Sequence, residues 1–398
     1  MFKGFKVRLM PTKEQEKLMF KSVGCKRFAY NWGINKAEEY YKQDKKYSMG
    51  EIRKEFTQLK RQEEFKWLNE VSSKVTQESL RNLDIAFKNY FDKCKKIPYE
   101  KRVFMKNGKL IKKYYPKFKS KKKSKQSFYV RCDNLYFLDN GTCSIEKIGK
   151  VKFTTNYKLP IGKNVCKFSN PYCTFNGRCW VLSFTMEVDE NQVNFEKNEN
   201  LKIGIDLGIK DLAICSNGMV FKNINKTKRV KRLKSKLKHL QRNVSRKYEM
   251  NKKGNKYIKT NNIIKLEKQI TLIYRKLANI RDNHMYQSIN TILKERPYRI
   301  VMEDLNVESM MKDKHKAESI AEQNFYKFIS TMKYKCEWLG IEFIQANRWF
   351  PSSKTCSRCG YIKKDLKLKD RVYICPECGL EIDRDLNASF NLMNYSEV

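Results

Sequence analysis

The sequence contains no apolar run of the about 18 residues that a membrane-spanning helix requires. Its first residues, Met1 to Lys6, lack the apolar segment of a secretory signal peptide. Four of the thirteen cysteines form two CxxC pairs, and the others show no spacing typical of a disulfide framework. We therefore expect a cytoplasmic protein with free thiols and no membrane partner.

Acidic residues are also scarce, since 43 Asp and Glu oppose 85 Lys and Arg and leave a formal net charge of +42. A compact protein of this charge repels itself, so a polyanionic partner is expected. Residues 95–128 combine dense positive charge with aromatics and predict a weakly structured nucleic-acid-binding stretch, with a disordered basic linker as the alternative. Its candidate contacts are Tyr115, Lys117, Phe118, Lys119 and Lys121.

A second basic run, Lys228 to Lys256, has a helical pattern that includes Arg232. Such a run is either a solvated helical face or a surface that binds backbone phosphate, which is independent of base sequence and sensitive to salt. The phosphate-binding interpretation is favoured, and Arg232 is its candidate contact.

At 398 residues the chain is long enough for several domains. A strand over 3–10 precedes a capping box at Thr12 and Gln15, which predicts a helix to about Val23 and a second helix over 26–43. Further helices are expected to residue 95, short strands follow over 128–188, and the polar residues 189–200 resemble a linker. The first strand and the later strands predict a small β-barrel that a helical insert interrupts.

The C-terminal half predicts three strands, long helices over 227–295 with a break near 252–256, and a strand over 298–303. A helix over 319–338, a strand over 341–346, a cysteine-containing insert and a last helix follow. This order of elements matches a ribonuclease-H-like α/β fold.

Three acidic residues mark this half: Asp206 and Glu303 end or interrupt apolar strands, and Asp385 opens the last helix. Three carboxylates delivered in this way can bind two Mg²⁺ ions against a phosphodiester and support in-line phosphoryl displacement. Asp304 is an alternative to Glu303, while Asp383 is less favoured than Asp385 because Asp385 begins the helix. Asp383 and Arg384 are then expected either to contact the metal-binding side chains, without binding the metal themselves, or to contact phosphate.

Cys356 and Cys359 are followed, after fifteen residues, by Cys375 and Cys378. Four thiolates fill the tetrahedral shell of zinc and leave no open position, so this spacing predicts one structural Zn²⁺. The three histidines, His239, His284 and His315, are all distant in sequence. The metal is expected to stabilise a ribbon that positions the Asp385 segment.

The chain resembles the TnpB family across nearly its whole length. In the first half the resemblance rests on segments 5–12, 24–32, 79–87, 115–120 and 126–128. In the second half it rests on the segments Gly204–Gly208, Glu303–Val307, Ser352–Cys356 and Asp383–Ala388.

This resemblance implies a prokaryotic RNA-guided DNA endonuclease with a guide RNA derived from the transposon end, a double-stranded DNA target, and a monomeric or homodimeric assembly on the RNA. It implies a wedge β-barrel (1–11 and 128–190), a helical recognition domain (12–127), a RuvC-like nuclease (201–350 and 381–398) and a zinc ribbon (351–380). It also implies that a short target-adjacent motif is read by protein and the rest by base pairing.

By analogy with the same family, Lys74, Gln77 and Arg81 are candidate contacts to the target-adjacent motif. The alternatives are a miniature type V CRISPR effector, a guided DNA-binding regulator without cleavage, and a strand-transfer transposase. The intact acidic residues disfavour the regulator, and the placement of the cysteine knuckle disfavours the transposase.

Overall fold

The computed structural model describes residues 2–396 apart from 107–108, 122–123, 157–158, 163–167, 189–195, 314 and 368–369. The chain divides into two compact units, Met1–Val188 (unit 1) and Asp189–Val398 (unit 2). Within the described ranges, no helix combines the length and the apolar character that crossing a bilayer requires.

Unit 1 has nine strands and four α-helices in its described part. The strands are β1 (Phe2–Met10), β2 (Val103–Lys106), β3 (Lys109–Lys112), β4 (Ser127–Tyr129), β5 (Tyr136–Phe137), β6 (Thr142–Ile145), β7 (Gly149–Thr154), β8 (Phe168–Phe175) and β9 (Trp180–Glu187). The helices are α1 (Lys13–Lys42), α2 (Met49–Leu59), α3 (Ser73–Lys96) and α4 (Tyr99–Arg102).

Seven of these strands form one antiparallel sheet in the order β4-β8-β9-β1-β7-β6-β5. Strand β1 lies inside it and alternates strictly, with Val7 and Leu9 buried and Lys6 and Arg8 exposed. The helices therefore lie between β1 and the later strands in sequence, as predicted. The described pairings run from β4 to β5, and closure of the barrel stays a prediction.

Helix α1 corrects one expectation, because residues 13–42 form one continuous helix where two were predicted. Its capping box at Thr12 and Gln15 is confirmed. Gly24 lies in mid-helix with open space beside it, and a glycine there costs only about 1 kcal/mol relative to alanine. Burial of the neighbouring Val23 and Cys25 offsets that cost.

The basic stretch over 95–128 is more ordered than its composition suggests. Helix α3 extends to Lys96, α4 follows, and β2 pairs with β3 as an antiparallel hairpin. Phe104 faces Ile111 across this hairpin. Such cross-strand apolar pairs stabilise a two-stranded ribbon, which charge density alone does not reveal.

Unit 2 has nine strands and six α-helices in its described part. The strands are β10 (Asn198–Leu207), β11 (Asp211–Cys215), β12 (Val220–Lys222), β13 (Lys252–Lys253), β14 (Lys256–Tyr257), β15 (Pro297–Glu303), β16 (Glu342–Ala346), β17 (Val372–Ile374) and β18 (Glu381–Asp383). The helices are α5 (Lys228–Met250), α6 (Asn261–Lys294), α7 (Val307–Met310), α8 (Ala317–Gln323), α9 (Phe325–Leu339) and α10 (Arg384–Met393).

The main sheet of unit 2 has the order β12-β11-β10-β15-β16. Its first three strands form an antiparallel meander, while β10, β15 and β16 are parallel. Buried side chains of α6 and α9 pack with the sheet in one core. A smaller cluster contains Val301 and Leu392 of α10.

Two expectations for this half need correction. The helix predicted over 319–338 is interrupted at Asn324, whose left-handed backbone (φ 55°) separates α8 from α9. Strand β10 begins at Asn198, inside the predicted linker, while residues 189–195 lie outside the described residues. The break near 252–256 is confirmed as the β13–β14 hairpin between α5 and α6.

Helix α10 crosses β10 at Gly204 with backbone against backbone. A Cβ atom added there would overlap the carbonyl oxygen of Ser389 and the amide nitrogen of Met393, and would lie 3.0 Å from the carbonyl carbon of Leu392. Because all three partners are main-chain atoms of one helix, the helix would have to move as a whole. Only glycine permits this approach.

We expect Gly204→Ala to destabilise this contact by at least about 1–3 kcal/mol, because overpacking moves a rigid helix. Hydrogen exchange of peptides covering 201–207 and 384–393 should accelerate. The matched control is Gly24→Ala, which meets no atom within 4 Å and improves helix propensity by up to about 1 kcal/mol. Equal exchange in the two variants would contradict the assigned packing.

Candidate acidic site and cysteine ribbon

Asp206 and Glu303 lie side by side because their strands are parallel neighbours. Ile205 of β10 is paired with Met302 of β15, so the next residues on the two strands are Asp206 and Glu303. Glu303 is the last residue of β15, opposite Ala346 of β16. Both carboxylates are half-buried at the carboxyl ends of these strands.

Asp385 reaches the same place through the packing of α10 on Gly204. Gly204 and Asp206 lie on the same face of β10, and Asp385 precedes Ser389 by about one helical turn. The close approach of Ser389 to Gly204 therefore brings Asp385 towards Asp206. The structure brings together all three acidic residues that the sequence singled out.

The start of α10 differs from the expectation in detail. The helix begins at Arg384, and Asp385 is its second residue. Asp383 is the N-cap, because its Oδ1 accepts hydrogen bonds from the amides of Asp385 (2.9 Å) and Leu386 (3.2 Å). Asp383 thus orients Asp385 through the helix start, and its Oδ1 is already engaged.

Burial and neighbouring negative charges raise the pKa of all three carboxyl groups. Burial raises the pKa of Asp206 well above its ordinary value, and the negative charges of Glu303 and Asp385 raise it further. Burial also raises the pKa of Glu303 and that of Asp385, the latter with the charge of Asp383 added. A cation close to the cluster would offset this repulsion and favour the charged carboxylates.

Three basic side chains partly oppose this repulsion. Arg384 lowers the pKa of all three carboxyl groups, and its guanidinium donates to the Lys367 carbonyl (3.0 Å) and to Ser353 Oγ (3.2 Å). Arg371 approaches Asp385 at 3.9 Å and Lys210 approaches Asp383 at 4.0 Å. Arg384 was predicted as a nucleic-acid contact, which stays a prediction.

A hydrogen-bonded segment that sequence reasoning missed fixes Glu303. The buried hydroxyl of Ser352 donates to Glu303 Oε1. Asn391 of α10 donates to the carbonyls of Ser352 and Thr355, both at 2.6 Å, and the fully buried Asn387 also donates to Thr355 at 2.6 Å. Ser352, Thr355 and Asn387 lie within the TnpB-like segments, whereas Asn391 lies outside them and had no signal in the sequence.

The four cysteines converge as their spacing predicts. The Sγ atoms of all four lie within 4.8 Å of one another, with Cys356–Cys378 at 3.6 Å and Cys359–Cys375 at 3.5 Å. Two thiolates on a tetrahedral zinc with Zn–S bonds of 2.3 Å lie about 3.8 Å apart, so this cluster fits and could bind zinc.

Each cysteine pair forms a turn that requires its glycine. Gly360 (φ 79°) and Gly379 (φ 67°) have left-handed backbones, and each donates its amide to the carbonyl of the first cysteine of its pair, at 3.0 and 3.1 Å. Strand β17 pairs with β18, which continues directly into α10. A metal on the cysteines would therefore stabilise the segment that delivers Asp385.

The acidic residues are arranged less tightly than the cysteines. Within the described part of the chain, only the four cysteines place three or more possible ligand atoms within 4.8 Å of one another. Asp206, Glu303 and Asp385 are thus spread more widely than one ion's shell. Their hard oxygen donors, whose mutual repulsion is only partly opposed by basic side chains, suit Mg²⁺, which binds few carboxylates and retains water ligands.

The candidate motif-reading residues of unit 1 share one groove. Lys74, Gln77 and Arg81 recur at helical spacing on α3 and line a cavity of about 490 Å³. Arg53 and Arg131 line the same cavity. Gln77 and Arg81 are exposed, and Arg81 forms an exposed ion pair with Glu78 at 3.5 Å.

The candidates in the basic stretch divide into two groups. Lys117, Phe118 and Lys121, like Arg232 on α5, are exposed. In contrast, Tyr115 packs edge-on against two aromatic rings of α3, and burial raises its pKa to about 12. The Lys119 ammonium lies 3.4 Å from the ring centre of Tyr30, and burial lowers its pKa to about 8. The nucleic-acid-binding roles of all six residues stay predictions.

Three family models match the chain. They are a "Helix-turn-helix domain" of OrfB_IS605 over residues 1–46, the OrfB_IS605 "Probable transposase" over 183–314, and the "Cas12f1-like, TNB domain" over 325–392. In the first range the structure contains strand β1 and the single helix α1. The last range includes both cysteine pairs and most of α10.

Similar proteins extend over nearly the whole chain. A protein of Streptomyces pristinaespiralis named "Putative RNA-guided DNA endonuclease" is 28% identical over 98% of this chain and 88% of its own length. InsQ of Escherichia coli K12, with the same description, is 25% identical over 98% and 91%. A solved Cas12f1–sgRNA–target DNA complex shares the fold, with a TM-score of 0.57, 13% identity and 99% coverage of both chains.

Two of the three models are OrfB_IS605 models, so the chain is similar to proteins of that type in both of its halves. Together, these matches support the TnpB family for this chain.

We expect purified protein to contain one zinc ion per chain and Cys375→Ser to lose it, because three thiolates leave the shell incomplete. Elemental analysis measures the zinc. Hydrogen exchange in α10 should rise with zinc loss, since β18 continues into that helix. The control Cys94→Ser, at a half-buried cysteine of unit 1, should retain zinc. Full zinc content in Cys375→Ser would contradict the assignment.

Proposed function

We propose that this chain is an RNA-guided DNA endonuclease with a single cutting site formed by Asp206, Glu303 and Asp385. The observation that carries the proposal is their convergence at the ends of β10 and β15 and the start of α10. Relatives that span 98% of the chain are named for this activity, and a Cas12f1 complex with guide RNA and target DNA shares the fold. The net charge of +42 suits two nucleic-acid partners.

The order of the main sheet supports a RuvC-like, ribonuclease-H-type assignment for unit 2. An antiparallel meander joins two parallel strands, and the acidic residues lie at the carboxyl ends of the central pair. Ligand and active sites of open α/β sheets are found at these ends. The proposed nuclease comprises residues 201–350 and 381–398, interrupted by the zinc ribbon over 351–380.

The three carboxylates are the proposed ligands of two Mg²⁺ ions. When bound, these ions supply Lewis-acid stabilisation of the attacking and leaving oxygens of an in-line phosphoryl displacement. Asp206 and Glu303 are delivered by rigid strands, while Asp385 is oriented by the Asp383 cap. Ser352 holds Glu303 in one orientation, so that the ligands are arranged before substrate arrives.

Unit 1 supplies the proposed wedge (1–11 and 128–190) and recognition domain (12–127). Lys74, Gln77 and Arg81 would contact the short target-adjacent motif, since they line one groove with further arginines. The rest of the target would be read by pairing with a guide RNA made from the transposon end. We place the protein in the prokaryotic cytoplasm, as a monomer or homodimer on its RNA.

The Asp206→Asn, Glu303→Gln and Asp385→Asn variants should each lose cleavage activity. Changing a residue that only hydrogen-bonds to a metal ligand typically costs roughly 10–100-fold, and the loss in these variants should be larger. The measurement is Mg²⁺-dependent cleavage of a guided DNA target by protein purified with RNA from its native locus. Sequencing the bound RNA tests guidance independently of cutting. RNA from an insertion-sequence end supports this proposal, and RNA from a CRISPR array supports a miniature type V effector.

Matched controls lie beside each acidic residue. Asp304→Asn keeps an acceptor for Arg348, and Asp383→Asn keeps a good helix cap, so both should retain most activity. All variants should bind guide RNA as the wild type does. Retained cutting by Asp206→Asn, or complete loss in Asp304→Asn with Glu303→Gln active, would refute the assigned ligands. Heterogeneous bound RNA would refute guidance.

Gln77→Ala should relax the preferred motif at one base position, because an amide side chain reads base edges at about 1–3 kcal/mol per contact. Lys74→Ala should instead weaken binding to all motifs and reduce the salt dependence, as expected for a phosphate contact. Cleavage of a library with randomised flanking bases distinguishes the two. An unchanged motif profile in both variants would contradict the placement of this groove on DNA.

A further inference from the structure

Trp349 is the most exposed of the large apolar side chains in the described part of the chain, with 86% of its surface accessible. It lies three residues beyond the end of β16. Tryptophan is among the side chains most strongly driven out of water, and folding leaves this indole there. The indole is therefore available for contact with a partner.

The backbone that carries Trp349 is tightly fixed. The Trp349 amide donates to Asn347 Oδ1 (2.9 Å), and the Asn347 amide in turn donates to the Tyr395 hydroxyl (3.1 Å). The next residue, Phe350, turns inward and packs edge-on against the Tyr395 ring at 5.0 Å. The segment thus already has its own core anchor in Phe350, and Trp349 points outward from a rigid support.

Residues before and after Trp349 form hydrogen bonds to acidic side chains at the end of β15. Arg348 donates to Asp304 at 2.5 Å, and Ser352 donates to Glu303. Trp349 therefore projects from a short segment whose flanking side chains contact the two consecutive acidic residues at the end of β15. The backbone that carries the indole is thus held by contacts to this strand end, and one of them, from Ser352, orients the proposed metal ligand Glu303.

We propose that Trp349 is a stacking site for an unpaired base of the DNA strand that enters the acidic site. The inference rests on the proposed function, because it assigns the contact of that site with its substrate. A rigid, exposed ring beside a phosphodiester-cleaving centre offers a π-face to any base, whereas a base in a duplex has both faces covered. Stacking there would fix the neighbouring phosphate at the carboxylates.

The experiment compares wild type, Trp349→Ala and Trp349→Phe as guide-RNA complexes, with Phe2→Ala as a control for truncating an exposed aromatic side chain in unit 1. Single-turnover cleavage is measured over a range of single-stranded target concentrations. Stacking of one base supplies about 1–3 kcal/mol, so the half-saturating concentration should rise roughly 5- to 150-fold in Trp349→Ala. Trp349→Phe should recover most of it, and Phe2→Ala should match wild type.

A second measurement separates stacking from cutting. In the inactive Asp206→Asn background, the fluorescence of 2-aminopurine placed near the cut position should be quenched, and Trp349→Ala should abolish this quenching. Unchanged saturation and unchanged quenching in Trp349→Ala, with wild type still cutting, would overturn the stacking site alone. Absence of cutting by wild type would instead overturn the proposed function. Loss of guide-RNA binding in Trp349→Ala would assign the indole to RNA and refute the DNA contact.

Discussion

The contact between α10 and Gly204 is the constraint on which unit 2 depends. At this crossing the backbone of a helix touches the backbone of the central strand, and the missing side chain of one residue makes the distance possible. The contact sets the position of the helix start relative to β10. Asp385 approaches Asp206 for that reason, and not through any bond between the two carboxylates, which repel each other.

The same helix organises the segment that follows β16. Its buried amides, Asn387 and Asn391, bind the main chain of the residues that lead into the first cysteine pair, and the second pair leads back into the helix through β18. The cysteine ribbon therefore begins and ends at α10. The cysteine cluster and the acidic residues are therefore positioned by the same helix, even though the two sites would bind chemically different ions.

The features of the fold and site that depend on residues close in sequence could be predicted, whereas those that depend on contacts between distant segments could not. Asp206 and Glu303 could be predicted because each follows apolar strand residues. The cysteine cluster could be predicted because the spacing within each pair is local. The bond from Ser352 to Glu303 joins distant segments, and no periodic pattern encodes it. The helix break expected after Val23 was wrong because tertiary packing overrides the local preference of glycine. The β2–β3 hairpin was missed because its strands are short runs of two or three apolar residues within a densely basic stretch.

The order of the acidic residues along the chain has a consequence for synthesis. A ribosome releases β10 and β15 long before α10, and until α10 folds onto Gly204 the third carboxylate is absent from the cluster. The basic segments of unit 1 and of α5 emerge earlier than α10. On the proposed function, a growing polypeptide can therefore engage nucleic acid while it is still unable to cut it, and cutting becomes possible only after α10 has folded onto β10.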